Sequence, residues 1–274
     1  MQALVAWVAL IWVAYEVGDP MRRRIKIGTP PLVGGVLRLD SEQTSVVLSV
    51  LAVVAGGLVL ARWLPSWCAR LPWRWLLVAI AVVALGWGMA VALLRGTPRL
   101  DHGLASRYEY PAVVDDVERL GVGPFIDTFS DPDVLGRYPV HVQGHPVGTP
   151  LLFVALDRVG LGGADGGATF VLAAALLTVP AVLVAVREVA GEAAARRAAP
   201  FLALPPGVIW AVTSADALFT AVGALAVMSV VLATSTSRSP RGRTALAVAG
   251  GVAFGVGIHL TYGLVPLVVI PVAV

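Results

Sequence analysis

The chain has 274 residues, 58% of them hydrophobic and only 14% charged, with a mean hydropathy of +0.84. Soluble domains carry about 25% charged residues, so this composition excludes one and points to an all-α, polytopic transmembrane helical bundle. The formal charge of +3 comes largely from arginines beside apolar segments, with no basic tail or patch to bind nucleic acid, and the single Cys68 excludes an intrachain disulfide or multi-cysteine metal site.

Residues 1–44 form an N-terminal segment whose apolar stretch, 3–15, is short for a span. The basic run Arg22-Arg23-Arg24-Ile25-Lys26 follows that stretch instead of preceding it, unlike a signal peptide. A non-spanning, interfacial or dispensable segment is expected. Two transmembrane helices, 46–64 and 76–94, then occupy residues 45–94. Residues 95–165 form a long extracytoplasmic loop with juxtamembrane helices. The final part, 166–274, holds about four helices: 168–186, 217–233, 245–265, and a shorter kinked span at 201–212 that carries Pro205-Pro206.

Arginine counts orient these spans. The connections 62–74, 187–197 and 238–243 carry three arginines each, whereas 162–167 and 213–216 carry none. Cytoplasmic connections retain positive charge, so the first group is expected inside and the loop from 95 outside. Residues 150–160, only 11 long and interrupted by Asp157 and Arg158, are expected to lie as a helix at the outer surface; a span there would invert every later connection. Trp63, Trp67, Trp73 and Trp75 read as an interfacial aromatic belt, and Cys68 among them as a buried thiol. His259 is expected to hydrogen-bond a neighbouring helix.

The chemistry concentrates in residues 95–147, which hold eight of the 17 acids and three of the four histidines. Carboxylates and imidazoles are costly near lipid, so their gathering there marks a site at the membrane surface. Asp101, just past a helix end, is placed either as a base with a raised pKa or as a solvated interfacial acid. Glu109, within Arg107-Tyr108-Glu109-Tyr110, is the rival base, with aromatic neighbours that suit a sugar ring as well as packing. Val113, Val114, Val117 and Leu120 trace the apolar face of a short surface helix, whose Asp115, Asp116 and Glu118 face water. The strip Tyr138-Pro-Val-His141-Val-Gln-Gly-His145-Pro146-Val-Gly148 reads as extended and turn-rich, since Gly144, Pro146 and Gly148 oppose a helix. Its imidazoles serve either a structural turn or contact with a lipid phosphate. No HExxH pattern supports zinc, and no metal ligand is assigned.

The outward helix, acidic loop with Tyr-Glu-Tyr, His145-Pro146-Val147-Gly148 turn, half-buried helix and Ser214-Ala-Asp216 element resemble the GT-C superfamily of polyprenyl-phosphate-sugar-dependent glycosyltransferases. Within it the likeness is to protein mannosyltransferases and aminoarabinose transferases, and more closely to their actinobacterial branch. It covers about 170 residues from Arg95 onward, with Val147 where the family turn has a second proline. The resemblance implies sugar transfer at the extracytoplasmic face of the cell membrane, from a polyprenyl-phosphate sugar to a hydroxyl of a glycan, lipid or protein. By position it implies Asp101 or Glu109 as base, His145 beside the lipid phosphate and Asp216 as a later outer-face acid. Arg99, Arg107, Tyr108 and His141 complete the candidate substrate-binding set. A divalent cation is used by some members of that superfamily and not by others. Two rival readings stand beside it: a transporter or flippase for a lipid-linked or small anionic substrate, and a shortened, inactive relative acting as an assembly partner.

Overall fold

A computed structural model describes residues 43–92, 103–205 and 214–273, and the chain divides after Val47. The account below concerns the unit from Leu48 onward. Arg99, Asp101, the apolar stretch 3–15 and most of the expected span 201–212 lie outside the described residues.

Among the described residues two long helices come first, α1 (Gln43–Arg70) and α2 (Trp73–Ala92). The polar region then folds into a 3-10 turn (Tyr110–Val113) and five helices: α3 (Val114–Leu120), α4 (Val122–Thr128), α5 (Pro132–Leu135), α6 (Val140–Gln143) and α7 (Gly148–Arg158). After these come α8 (Gly163–Ala190), α9 (Glu192–Ala203), α10 (Asp216–Thr234) and α11 (Pro240–Leu260), then a 3-10 segment (Tyr262–Val268) and α12 (Val269–Ala273). Residues 48–70 of α1, together with α2, α8, α10 and α11, are long and apolar enough to cross a membrane. The chain is an all-α membrane protein, and among the described residues there is no strand. At 11 residues α7 reaches only about 16 Å, too short to cross.

The bundle has two chemically distinct ends. At one, the α1–α2 turn meets the start of α9. Arg196 Nη1 donates to the carbonyls of Cys68 (2.6 Å) and Leu71 (2.9 Å), while its Nε donates to Glu192 (2.9 Å). Glu192 also takes Arg187 at 2.7 Å, and the Arg187 guanidinium lies 4.5 Å from the Trp73 ring centroid. Trp73 is thus a cation platform as well as a belt residue, whereas Trp63, Trp67 and Trp75 remain exposed on their helices. Arg243 similarly donates to the Ala233 carbonyl at the end of α10. Arginines at helix C-termini satisfy carbonyls that have no intrahelical donor and oppose the negative end of the dipole. Beneath this layer Leu64, Cys68, Leu76, Ile80, Val179 and Leu183 form a buried cluster with Ala195, Ala199 and Ala203. The four-residue spacing puts those alanines on one face of α9, and their small side chains let it lie close against α2 and α8.

Arg196 is only 20% exposed, and its removal strands the Cys68 and Leu71 carbonyls. Arg196→Ala should lower stability by about 2 kcal/mol, with Arg196→Lys recovering part, because an ammonium cannot reproduce the guanidinium fork. Thermal unfolding of the detergent-solubilised protein measures this; equal midpoints for all three proteins would rule the clamp out.

Pro205 accounts for the end of α9. The residue before a proline is pushed out of the α region, and α9 stops at Ala203, with Leu204 at φ −126° and ψ 50°. Only the first three residues of the expected kinked span are therefore helical here, and the rest lies outside the described residues. Beyond it, α10 starts at Asp216 and α11 returns antiparallel along it. A Cβ at Gly250 would meet the Val230 side chain and the α10 backbone, so this glycine permits the close approach of the two helices.

The other end of the bundle is capped by the polar region, which has a core of its own. Leu104, Tyr110, Val113, Val114, Val117, Phe125, Val142, Phe153 and Val154 are buried together with Ala168 and Val171 of α8 and Phe219 of α10. Val113, Val114 and Val117 form the inward face expected of this segment, but Leu120 does not join them. It is 48% exposed, because α3 ends there and Gly121, at φ 91°, turns the chain away. Glu118 does more than face water. It holds Arg158 of α7 in a two-bond fork (2.8 and 3.1 Å), which lowers the Glu118 carboxyl pKa and ties α3 to α7.

Candidate functional site

Glu109 is the last residue before the 3-10 turn, in extended conformation, and its side chain caps no backbone N–H of that turn. The carboxylate is therefore free for other contacts, and it turns inward: among the described residues Glu109 is the only buried charged one. Its Oε1 lies 3.2 Å from Nδ1 of His141. Burial raises the Glu109 pKa, the His141 charge lowers it, and the Asp216 carboxylate raises it again. The net direction is upward, as expected for a carboxyl removed from water beside another acid.

His141 sits on α6, a single helical turn that starts after Pro139 and ends at Gly144. The expected extended strip is thus corrected here. Gly144 and Pro146 prevent a long helix, but four residues suffice for one turn, and Gln143 braces it by donating to the Tyr138 carbonyl at 2.7 Å. The half-exposed imidazole reaches from this turn to Glu109.

His145 follows, wedged between aromatic rings. Tyr110 meets it edge-on at 5.6 Å, and Phe219 stacks on it at 5.4 Å with 27° between planes. Tyr110 also stacks on Phe153 at 5.7 Å. Burial lowers the His145 pKa, the Leu260 backbone and Asp216 raise it, and His141 lowers it further, so the ring is neutral at pH 7. Among the described residues its buried Nδ1 has no hydrogen-bond partner, a condition that native structures seldom leave unexplained. Burial, with Glu109 and Asp216 nearby, pushes the Tyr110 phenol well above its ordinary range and keeps it protonated.

The turn carrying His145 is docked on the end of α11. Thr149 is buried, and its hydroxyl donates to the Leu260 carbonyl, 111 residues away in sequence. A Cβ on Gly148 would collide with the His259 carbonyl, so only glycine allows this approach. His259 does not bond a neighbouring helix as expected. Its Nδ1 lies 2.7 Å from the Gly255 carbonyl one turn back on α11, and its side chain is exposed. Asp216 opens α10 with Oδ2 accepting from the Ser214 hydroxyl at 3.1 Å, and it faces solvent close enough to act on Glu109, Tyr110 and His145.

Four candidates from three separate stretches of sequence, Glu109, His141 with His145, and Asp216, are thus brought together. Arg107 and Tyr108 are not. Arg107 Nη2 donates to the Tyr108 hydroxyl at 2.7 Å and the guanidinium lies over that ring, leaving both side chains on the surface. Arg99 and Asp101 lie outside the described residues. Phe219 and Phe153 were not singled out by sequence reasoning. Phe219 had one legible signal, its place three residues after Asp216 and hence on the same face of α10. Among the described residues no group of three or more His, Cys, Asp or Glu is arranged to hold a metal ion.

The arrangement can accept a proton at a carboxylate shielded from bulk water, and it presents aromatic and imidazole surface beside that carboxylate. No family model, curated protein or solved structure matches the chain.

Proposed function

We propose that this protein is a membrane glycosyltransferase of the GT-C type, which moves a sugar from a polyprenyl-phosphate donor to an acceptor hydroxyl at the extracytoplasmic face. The observation that carries the reading is the buried Glu109 carboxylate paired with His141 on the acid-rich end of the bundle. A base in that position takes the proton of the attacking hydroxyl. The oxygen then attacks the anomeric carbon, and the bond to the phosphate breaks with its electron pair leaving on the polyprenyl phosphate. His145 and its aromatic neighbours form the wall beside the reacting groups, with Asp216 at the rim. The arginine clamp at the other end fits a cytoplasmic surface.

A transporter is less well supported. In α2, α8, α10 and α11 every ionisable side chain falls in the first or last turn, whereas transporters place such groups near midmembrane.

Transfer from a radiolabelled lipid-linked sugar, measured for the wild type, Glu109→Gln and Asp101→Asn, tests the reading. Full activity in Glu109→Gln alone would move the base to Asp101. Full activity in both variants would sink the assignment.

A further inference from the structure

A base shielded from water must also lose the proton it gains. Each transfer would leave one on Glu109, and the burial that raises its proton affinity also closes it off from solvent. Among the described residues, the groups that face Glu109 narrow the exits to one. Tyr110, beside it in the chain, is itself buried and holds its own proton. His145 is packed between the Tyr110 and Phe219 rings, and its Nδ1 is buried. Asp216, at the start of α10, is exposed but carries like charge and is bonded to Ser214. His141 alone of these is both within reach of the carboxylate, at 3.2 Å, and open to water, with 49% of its side chain exposed against 10% for Glu109.

Resting on the reading of Glu109 as base, we propose that His141 is its proton outlet: Glu109 passes the acceptor's proton to His141 Nδ1, and the imidazolium releases a proton to water. The step balances. The hydroxyl O–H bond breaks as the carboxyl O–H bond forms. That bond then breaks as Nδ1–H forms, and the ring returns to neutrality by losing one proton to solvent. Imidazole suits the task because its ring nitrogens can both accept and donate a proton, so one group can take the proton from Glu109 and pass it on. His141 acts through Glu109 and need not touch the sugar.

Two measurements on the full chain in detergent decide this. In the first, transfer by His141→Ala and His141→Gln is followed across pH 5–9, with and without added imidazole. Both variants should fall about tenfold or more, and imidazole should restore part of the loss, whereas Glu109→Gln should not respond to it. In the second, which needs no substrate, Glu109 is labelled with dicyclohexylcarbodiimide, a reagent that attacks protonated carboxyls in apolar surroundings, and quantified by peptide mass spectrometry. Without His141, labelling should persist to higher pH than in the wild type. Wild-type transfer rates in both variants, or losses that imidazole does not touch, overturn the proposal. If the wild type moves sugar from no lipid-linked donor, the glycosyltransferase reading falls by itself. The labelling curves then decide the pair, and identical curves with and without His141 overturn it.

Discussion

Glu109→Gln is expected to lower transfer by roughly 10²–10⁴-fold, the range for loss of a general base, and to make the protein more heat-stable at neutral and alkaline pH. The two effects have one cause. Glutamine keeps the shape of the side chain but cannot take a proton, so the chemistry stops. It also removes a carboxylate that the fold holds away from water and beside Asp216. Because the folded-state pKa of Glu109 lies above its unfolded value, its contribution to stability is fully present below the unfolded carboxyl pKa. That contribution is lost as pH rises through the folded value. The gap in melting temperature between Glu109→Gln and wild type should therefore be smallest in acid, widen through that window, and level off above it. Melting curves at a series of pH values measure it. A gap that narrows with rising pH would mean that His141 overcompensates the burial and that the carboxylate is stabilised in place. Such a trade of stability for activity is common where a site holds a charge in an unfavourable environment.

Gly148→Val is expected to weaken both the fold and the site without altering any group that touches substrate. A Cβ at residue 148 meets the His259 carbonyl and lies 3.3 Å from the His259 Cβ, so the start of α7 must move off the end of α11. That movement opens the buried hydrogen bond from Thr149 to Leu260 and draws His145, three residues upstream, away from Phe219. Overpacking and a lost buried hydrogen bond together should cost about 3 kcal/mol or more, which for a chain of this size is a drop of roughly 6–12 °C in melting temperature. Gly148→Ala should do the same to a smaller degree. An unchanged melting temperature in the valine variant would mean that the α7–α11 contact bears no strain. Transfer activity should fall along with stability, because the wall beside Glu109 is built from this turn.

The membrane character, the all-α class and four of the five long helices were legible to within a few residues, because roughly 20 consecutive apolar residues have no other stable use. The fifth, 46–64 in the sequence reading, continues to Arg70 through Pro65 and Trp67, since an amphipathic end can extend a helix past its apolar stretch. Arginine counts separated the ends of the bundle, and the same arginines prove to cap α1 and α10. Charge density alone marked residues 95–147 as the place to look, and the neighbours of Glu109 made it a candidate.

Which candidates meet was decided only by the tertiary structure. Sequence spacing carries no information about the proximity of residues 32 or 107 positions apart, such as Glu109 with its partner His141 and with Asp216, whose charge it senses. Those pairings depend on where α7 docks against α11 and where α10 begins, and these in turn depend on a glycine at 148 and a threonine at 149 that no chemical motif singles out. Burial had the same origin. The helical spacing put Asp115 toward solvent, where it lies, but nothing in the spacing showed that Glu109 would be enclosed with a histidine. Sequence by itself determined that this is a membrane bundle with about half of its acids and three of its four histidines gathered in one polar region, because hydrophobic length and charge are local properties. The packing of distant helices determined which of those groups became a shielded pair, because proximity and desolvation are not.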